Sequence, residues 1–301
     1  LRNFDLIGQT PLVQLEHYST ERVQIYAKLE MYNPGGSVKD RLGKYLIEQA
    51  IQSGALRSGE TIVEATAGNT GIGLTIAANH YQIASVIFAP EGFSEEKISI
   101  MRALGAEIYR TPRSEGMLGA RKAAEAFATQ TGAYYTNQFE TKANPAAYRE
   151  TLARELIEAL PDLDYFVAGA GSGGTFAGVA EALQPYHVQS VVVEPTGSVL
   201  SGQEKGRHDT EGIGVEAWPT FLNKAWIQAI EVVSDAVAFE HVKNLARYES
   251  LLVGSSSGAA LEGALRVAKR LDQGKIVVIF PDGSDRYMSK NIFQYGGSSN
   301  E

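Results

Sequence analysis

Cysteine is absent from the 301 residues, so disulfides, thiolate metal sites and a cysteine nucleophile are all excluded. Histidine is scarce: none of the five stands in an HxxxH or HxH pair, and no metal site is expected. Basic residues are in the minority, with 27 Lys and Arg against 35 Asp and Glu and a formal charge of -8. No basic stripe stands out to neutralise phosphates, so nucleic acid is not an expected partner. No apolar run approaches the length needed to span a bilayer, which argues against a membrane partner. The opening Leu1-Arg2-Asn3-Phe4-Asp5 lacks a signal peptide's basic region and apolar core, and the expected location is the cytoplasm. The hydrophobic fraction of 44% and charged fraction of 21% are those of a globular chain, long enough for two α/β lobes or one large domain. A cytoplasmic protein that handles small molecules is the expectation.

Short β-rich runs alternate with longer helical stretches. Strands are predicted at 61–65, 84–89, 107–109, 133–136, 165–168, 188–193 and 275–280, and helices at 71–78, 117–129, 145–159, 175–183, 239–248 and 259–271. Ser94 suits an N-cap, with Glu95 and Glu96 in the first turn. Strands separated by helix-length segments imply βαβ units and an α/β fold with parallel-rich sheets flanked by helices. There is no internal repeat and no low-complexity linker. The one Gly/Ser-rich polar run is the tail, 296–301, which is expected to be disordered.

Four loops share one logic. Asn33-Pro34-Gly35-Gly36-Ser37-Val38-Lys39-Asp40-Arg41 brings a flexible backbone to a helix start. Ser37 is a credible N-cap there, which puts Lys39 in the electropositive first turn, an uncomfortable place for a structural lysine. Glu64-Ala65-Thr66-Ala67-Gly68-Asn69-Thr70-Gly71 joins a strand to a helix, where N–H groups converge on an anion. Tyr165 to Thr175 runs an apolar strand into Gly169-Ala170-Gly171-Ser172-Gly173-Gly174, a phosphate cradle. It also fits G-x-G-x-x-G, with Glu194 where a dinucleotide fold keeps its ribose acid, so this segment alone favours a nicotinamide-dependent Rossmann oxidoreductase. Leu252-Val253-Gly254-Ser255-Ser256-Ser257-Gly258 has the same strand, small-residue loop and helix start. Each loop has a bland reading as a solvated turn or a capped helix. A dinucleotide fold leaves Lys39 and the Asn69 loop without a role, whereas one cofactor with a phosphate, a ring nitrogen and an aldehyde uses all four loops. That cofactor is pyridoxal 5'-phosphate.

At this point the motifs, with Ile7-Gly8-Gln9-Thr10-Pro11-Leu12 at the front, resemble the cysteine synthase and cystathionine β-synthase family of fold-type-II pyridoxal-phosphate enzymes, from about Asp5 to Phe293. The resemblance implies a two-domain, tryptophan synthase β-like fold. A smaller domain, 37–141, would include a part that closes on substrate; the larger would combine 1–36 with 142–293, and 294–301 would be a flexible tail. It implies a homodimer and amino-acid substrates. It implies that Lys39 binds the cofactor covalently and acts as catalytic base, that Asn69 bonds the ring hydroxyl, and that Ser256 bonds the pyridine nitrogen. Gly171, Ser172, Gly173, Gly174 and Thr175 would take the phosphate. Thr66, Ala67, Gly68 and Thr70, with Gln138 of Asn137-Gln138-Phe139, would take the substrate carboxylate. Ala67 departs from the family's usual serine, and 203–208 is more charged than its counterpart.

Within the family, Glu211-Gly212-Ile213-Gly214-Val215-Glu216 and Pro281-Asp282-Gly283-Ser284-Asp285-Arg286-Tyr287-Met288 resemble the bacterial cystathionine β-synthases that accept O-acetylserine. The Gly212 backbone is expected close to the substrate, with Glu211 facing an incoming amino acid. The expected reaction is β-replacement on O-acetylserine or serine by homocysteine, with sulfide also accepted. The alternatives are a cysteine synthase, a nicotinamide oxidoreductase and a catalytically silent binding protein.

Overall fold

A computed structural model describes residues 1–295; from residue 296 on, the expected tail lies outside the described residues. The strands in chain order are β1 (Leu12–Gln14), β2 (Val23–Leu29), β3 (Thr61–Ala65), β4 (Ala84–Pro90), β5 (Glu107–Thr111), β6 (Tyr134–Tyr135), β7 (Tyr165–Gly169), β8 (Gln189–Pro195), β9 (Ala229–Val233) and β10 (Gly274–Phe280). The helices are α1 (Lys39–Gln52), α2 (Asn69–His80), α3 (Glu95–Ala103), α4 (Gly116–Thr131), α5 (Ala143–Arg149), α6 (Leu152–Ala159), α7 (Gly174–Leu183), α8 (Asp235–Asn244) and α9 (Ser255–Ala268).

Two compact units divide the chain: Leu1–Gly8 with Asn33–Ala147, and Gln9–Tyr32 with the chain from Tyr148 onward. Residues 1–8, 33–36 and 142–147 thus fall in the first unit. That unit is built on a four-stranded parallel sheet in the order β5-β4-β3-β6. The two-residue period of its strands sorts the core. Val63, Ala65, Val86 and Phe88 pack with Ala120 and Ala124 of α4, while Ile87 and Ala89 pack with Ile72 of α2 and with Ile98 and Met101 of α3. Both faces are covered, which is why β3 and β4 read as nearly continuous apolar runs. Ser94 caps α3, its hydroxyl accepting from the Lys97 N–H at 3.3 Å.

The second unit has a six-stranded sheet in the order β1-β2-β10-β7-β8-β9; β1 runs antiparallel to β2 and the other pairs are parallel. Its core joins Ile25, Val167, Val191, Val193, Ile276 and Val278 to Leu261 and Ala264 of α9. The opening motif, from Gln9 on, anchors here. The Thr10 hydroxyl donates to Glu30 at 2.6 Å, and Lys28 donates to the Thr10 carbonyl at 2.7 Å. Lys28 also pairs with Glu155 at 2.7 Å, both side chains being over nine-tenths buried.

Several elements differ from the sequence reading. The helix expected over 145–159 is two helices, broken where Thr151 takes φ -122° and ψ -79°. The helix expected over 239–248 starts at Asp235 and gives way to a π-type turn at Leu245–Glu249, and α9 starts four residues early, at Ser255. No strand leads into the fourth loop: Val253 makes only an isolated bridge to Gly283. Strands β1, β2 and β9 are additional.

Candidate active site

In the first unit, the chain enters α1 through a tight turn. The Gly36 N–H donates to the Asn33 carbonyl at 2.7 Å, with Gly36 at φ +77°. The buried Asp40 carboxylate accepts the Gly35 N–H at 2.5 Å, and a Cβ on Gly35 would press on that carboxylate. The Ser37 hydroxyl accepts the Lys39 N–H at 3.1 Å, but the N-cap position falls to Val38 rather than to Ser37, and Lys39 is the first residue of α1. Burial lowers the Lys39 ammonium to about 8, so a larger share of the amine is neutral near neutral pH than for an exposed lysine.

Helix α1 meets α2 backbone to backbone. A Cβ on Gly73 would fall on the Lys39 carbonyl, and one on Gly43 would fall on the Gly73 carbonyl. Glycine at both positions is what fixes Lys39 close to the helix that Asn69 begins. Ahead of α2, the Thr66 hydroxyl accepts the Gly68 N–H at 3.1 Å, and Ala67 is buried. A Cβ on Gly68 would meet nothing within 4 Å, so this loop borders open space at a helix N-terminus. The Thr70 hydroxyl donates to Gln138 Oε1 at 2.7 Å. Thr66, Ala67, Gly68, Asn69, Thr70 and Gln138 therefore form one cluster.

In the second unit, β7 runs through Gly171, Ser172 and Gly173 into α7, which starts at Gly174 and Thr175. Gly173 holds φ +85°, a conformation that favours glycine. A Cβ on Gly171 would come within 2.7 Å of the Gly212 carbonyl, and the Gly214 N–H donates to the Ala170 carbonyl at 2.9 Å. The 212–214 segment thus lies directly on the glycine loop. Ser256 is buried in the first turn of α9, and a Cβ on Gly212 would stand 4.0 Å from its hydroxyl. The Ser255 hydroxyl accepts the Glu211 N–H at 3.0 Å. The glycine loop, Gly212, Glu211 and Ser256 therefore form a second cluster.

Two acids behave in ways the sequence did not foretell. Glu194, the expected ribose acid of a dinucleotide fold, is fully buried and accepts the Leu200 and Ser201 N–H groups, each at 2.8 Å. It organises its own loop. Glu211 pairs with Lys290, a partner 79 residues away that no motif marks. Sequence reading also passed over Glu64 and Asn144, which bond the Gln138 backbone, and Thr136, whose hydroxyl donates to Glu64. Glu64 stood inside the second loop, but only the contacts of its carboxylate distinguish it from a strand-end charge.

Residues 4–282 match the family described as pyridoxal-phosphate dependent enzyme. The chain is 50% identical to the O-acetylserine dependent cystathionine β-synthase of Bacillus subtilis (strain 168), over 97% of each chain. It is 48% identical to a cysteine synthase of Helicobacter pylori (strain ATCC 700392 / 26695), over 96% of this chain and 97% of that one. The crystal structure of an O-acetylserine dependent cystathionine β-synthase from Helicobacter pylori superposes with a TM-score of 0.92 at 47% identity, covering 97% of this chain and 98% of that one. No helix among the described residues is long and apolar enough to cross a membrane. With its lysine at a helix start, its glycine cradle and this breadth of similarity, the chain belongs to the pyridoxal-phosphate dependent enzymes.

Proposed function

We propose that the protein catalyses β-replacement on O-acetylserine, joining homocysteine to the β-carbon to give cystathionine and also accepting sulfide to give cysteine. The observation that carries the reaction class is Lys39, an amine at a helix start whose ammonium is lowered to about 8 by desolvation. The residues fit the cofactor. The Gly171–Thr175 loop leaves no room for side chains where the Gly212 carbonyl crosses it, and so offers backbone N–H groups to a phosphate. Ser256, at the start of α9, is the neutral hydroxyl for the ring nitrogen, and Asn69, at the start of α2, bonds the ring hydroxyl.

The bound cofactor supplies an electron sink conjugated to the substrate's α-carbon. The chain's own residues do the rest. Lys39 would hold the cofactor through its amine and, as a free amine, would take the α-proton and later return it. The N-terminus of α2, through Thr66, Ala67, Gly68 and Thr70 together with Gln138, receives the substrate carboxylate and orients the α-C–H toward Lys39. Ser256 does not favour a protonated ring as a carboxylate would, which suits elimination and replacement over transamination. Closure of part of the 37–141 domain on substrate, the homodimer and the cytoplasmic setting belong to the same reading.

For the nucleophile, Glu211 favours homocysteine, whose ammonium a carboxylate can meet; sulfide has no such group. A charge-assisted contact is worth roughly 1.5–3 kcal/mol, or about ten-fold and more in specificity. One observation favours a cysteine synthase instead: Lys290 already pairs with Glu211 and competes for it. Specificity constants for homocysteine and sulfide in the wild type and in Glu211→Gln decide between them. Our reading expects about ten-fold loss on homocysteine with sulfide nearly unchanged; equal losses support the cysteine synthase.

A further inference from the structure

Glu64 carries a fully buried carboxylate that none of the roles above uses. It lies in β3, two residues before Thr66. Its Oε2 accepts the Gln138 backbone N–H at 3.0 Å and the Thr136 hydroxyl at 2.6 Å, while Oε1 accepts the Ala65 N–H at 2.8 Å. Gln138, fixed at its backbone, reaches back to the start of α2. Its Oε1 accepts the Thr70 hydroxyl at 2.7 Å, and its Nε2 donates to the Ala65 carbonyl at 3.3 Å. Asn144 Nδ2 completes the brace by donating to the Gln138 carbonyl at 2.6 Å. One carboxylate thus ties the end of β3, the segment after β6 and the first turn of α2.

We infer that Glu64 is a positioning residue for substrate, holding Gln138, and through it Thr70, in the arrangement that receives the donor's carboxylate. This rests on the carboxylate role proposed above for Gln138 and the Thr66–Thr70 loop. A brace between strands alone would not need a charge, and a buried carboxylate is costly to keep ionised. Two backbone N–H groups and a hydroxyl aimed at it make sense if the ionised form is the one that sets Gln138.

The balance is close enough to titrate. Desolvation raises Glu64 to about 7 against the hydrogen bonds from Thr136, Gln138 and Ala65 and the charge of Arg121. Arg121 on α4 and the Tyr135 phenol on β6 are the charged and titratable groups that face it; Tyr135 is pushed up to about 12 and is silent in this range. As pH falls through about 7, one carboxyl oxygen becomes a donor and the grip on Gln138 weakens. The KM for O-acetylserine should then rise.

The test compares holoenzymes of the wild type, Glu64→Gln, Gln138→Ala, the double variant and Thr136→Val, at saturating sulfide, with the cofactor's absorbance as the check on loading. Glu64→Gln should raise the KM for O-acetylserine roughly ten-fold, as for one lost charge-assisted bond, with kcat within about two-fold. Gln138→Ala should do at least as much, and the double variant should be no worse than Gln138→Ala, because Glu64 acts through Gln138. Penalties that multiply, or an unchanged KM in Glu64→Gln beside a raised one in Gln138→Ala, overturn the role of Glu64 alone. An unchanged KM in Gln138→Ala removes the carboxylate reading itself, and the role of Glu64 with it. Thr136→Val covers a Glu64→Gln chain that does not fold. Losing that hydroxyl raises Glu64 further, so the pH midpoint of KM should move up; a midpoint that stays put overturns the inference.

Discussion

A lysine amine enclosed by protein loses the water that favours its charged form, and a place in the first turn of a helix acts in the same direction. Lys39 has both, with burial lowering it to about 8 against an ordinary value of 10.5. Only the neutral amine can attack an aldehyde. Cofactor attachment to the apoenzyme should therefore speed up about ten-fold per pH unit below 8 and level off above it. A rate still climbing at pH 10 would mean an ordinary exposed lysine, and Lys39→Ala should leave no adduct that borohydride can fix. Ser256→Ala should keep the fold, since the first turn of α9 is built of small residues, yet slow elimination on the order of 10²-fold through loss of one well-placed donor. Turnover that does not change would reduce Ser256 to a helix residue. At this scale the residues legible in sequence are those that local chemistry marks, namely glycines that clear a backbone path, hydroxyls at helix starts and a lysine where a lysine is unwelcome. Glu64, Thr136 and Lys290 were not legible, because their partners lie some 70 residues or more away.

The elements that carry these residues are set by contacts as close as backbone allows. At the α1–α2 crossing, Gly73→Ala would drive a methyl onto the Lys39 carbonyl. Overpacking of that kind typically costs about 1–3 kcal/mol, and here the displaced group belongs to the residue proposed to hold the cofactor. The variant should unfold at lower denaturant and also attach cofactor more slowly. Normal attachment would show that the crossing serves stability alone. Most strands were legible because parallel sheet covered on both faces demands apolar runs. Strand β2 was legible only as alternation, Val23, Ile25, Ala27 and Leu29 with Gln24, Tyr26 and Lys28 between them, and not as the continuous apolar run that marked the others. Strand β1 has three residues and β9 carries Glu231, so neither reads as a run. The helix over 145–159 read as continuous because nothing in its composition announces the break at Thr151, where the backbone leaves helical angles.

For the whole molecule, the discriminating feature was agreement among separate loops. The glycine-rich loop after β7 satisfies a dinucleotide pattern, and Glu194 stands at the right distance to complete it. In the structure Glu194 is spent on the backbone of its own loop, and family membership sets the nicotinamide reading aside. What the sequence could not carry is the identity of the thiol, because a single surface pairing, Glu211 with Lys290, bears on it and the relatives are named for both reactions. The most direct measurement gives the purified holoenzyme O-acetylserine with equal concentrations of homocysteine and sulfide and quantifies both products by mass spectrometry. The account predicts cystathionine as a substantial product beside cysteine. Cysteine alone, with no cystathionine even when sulfide is left out, would contradict it.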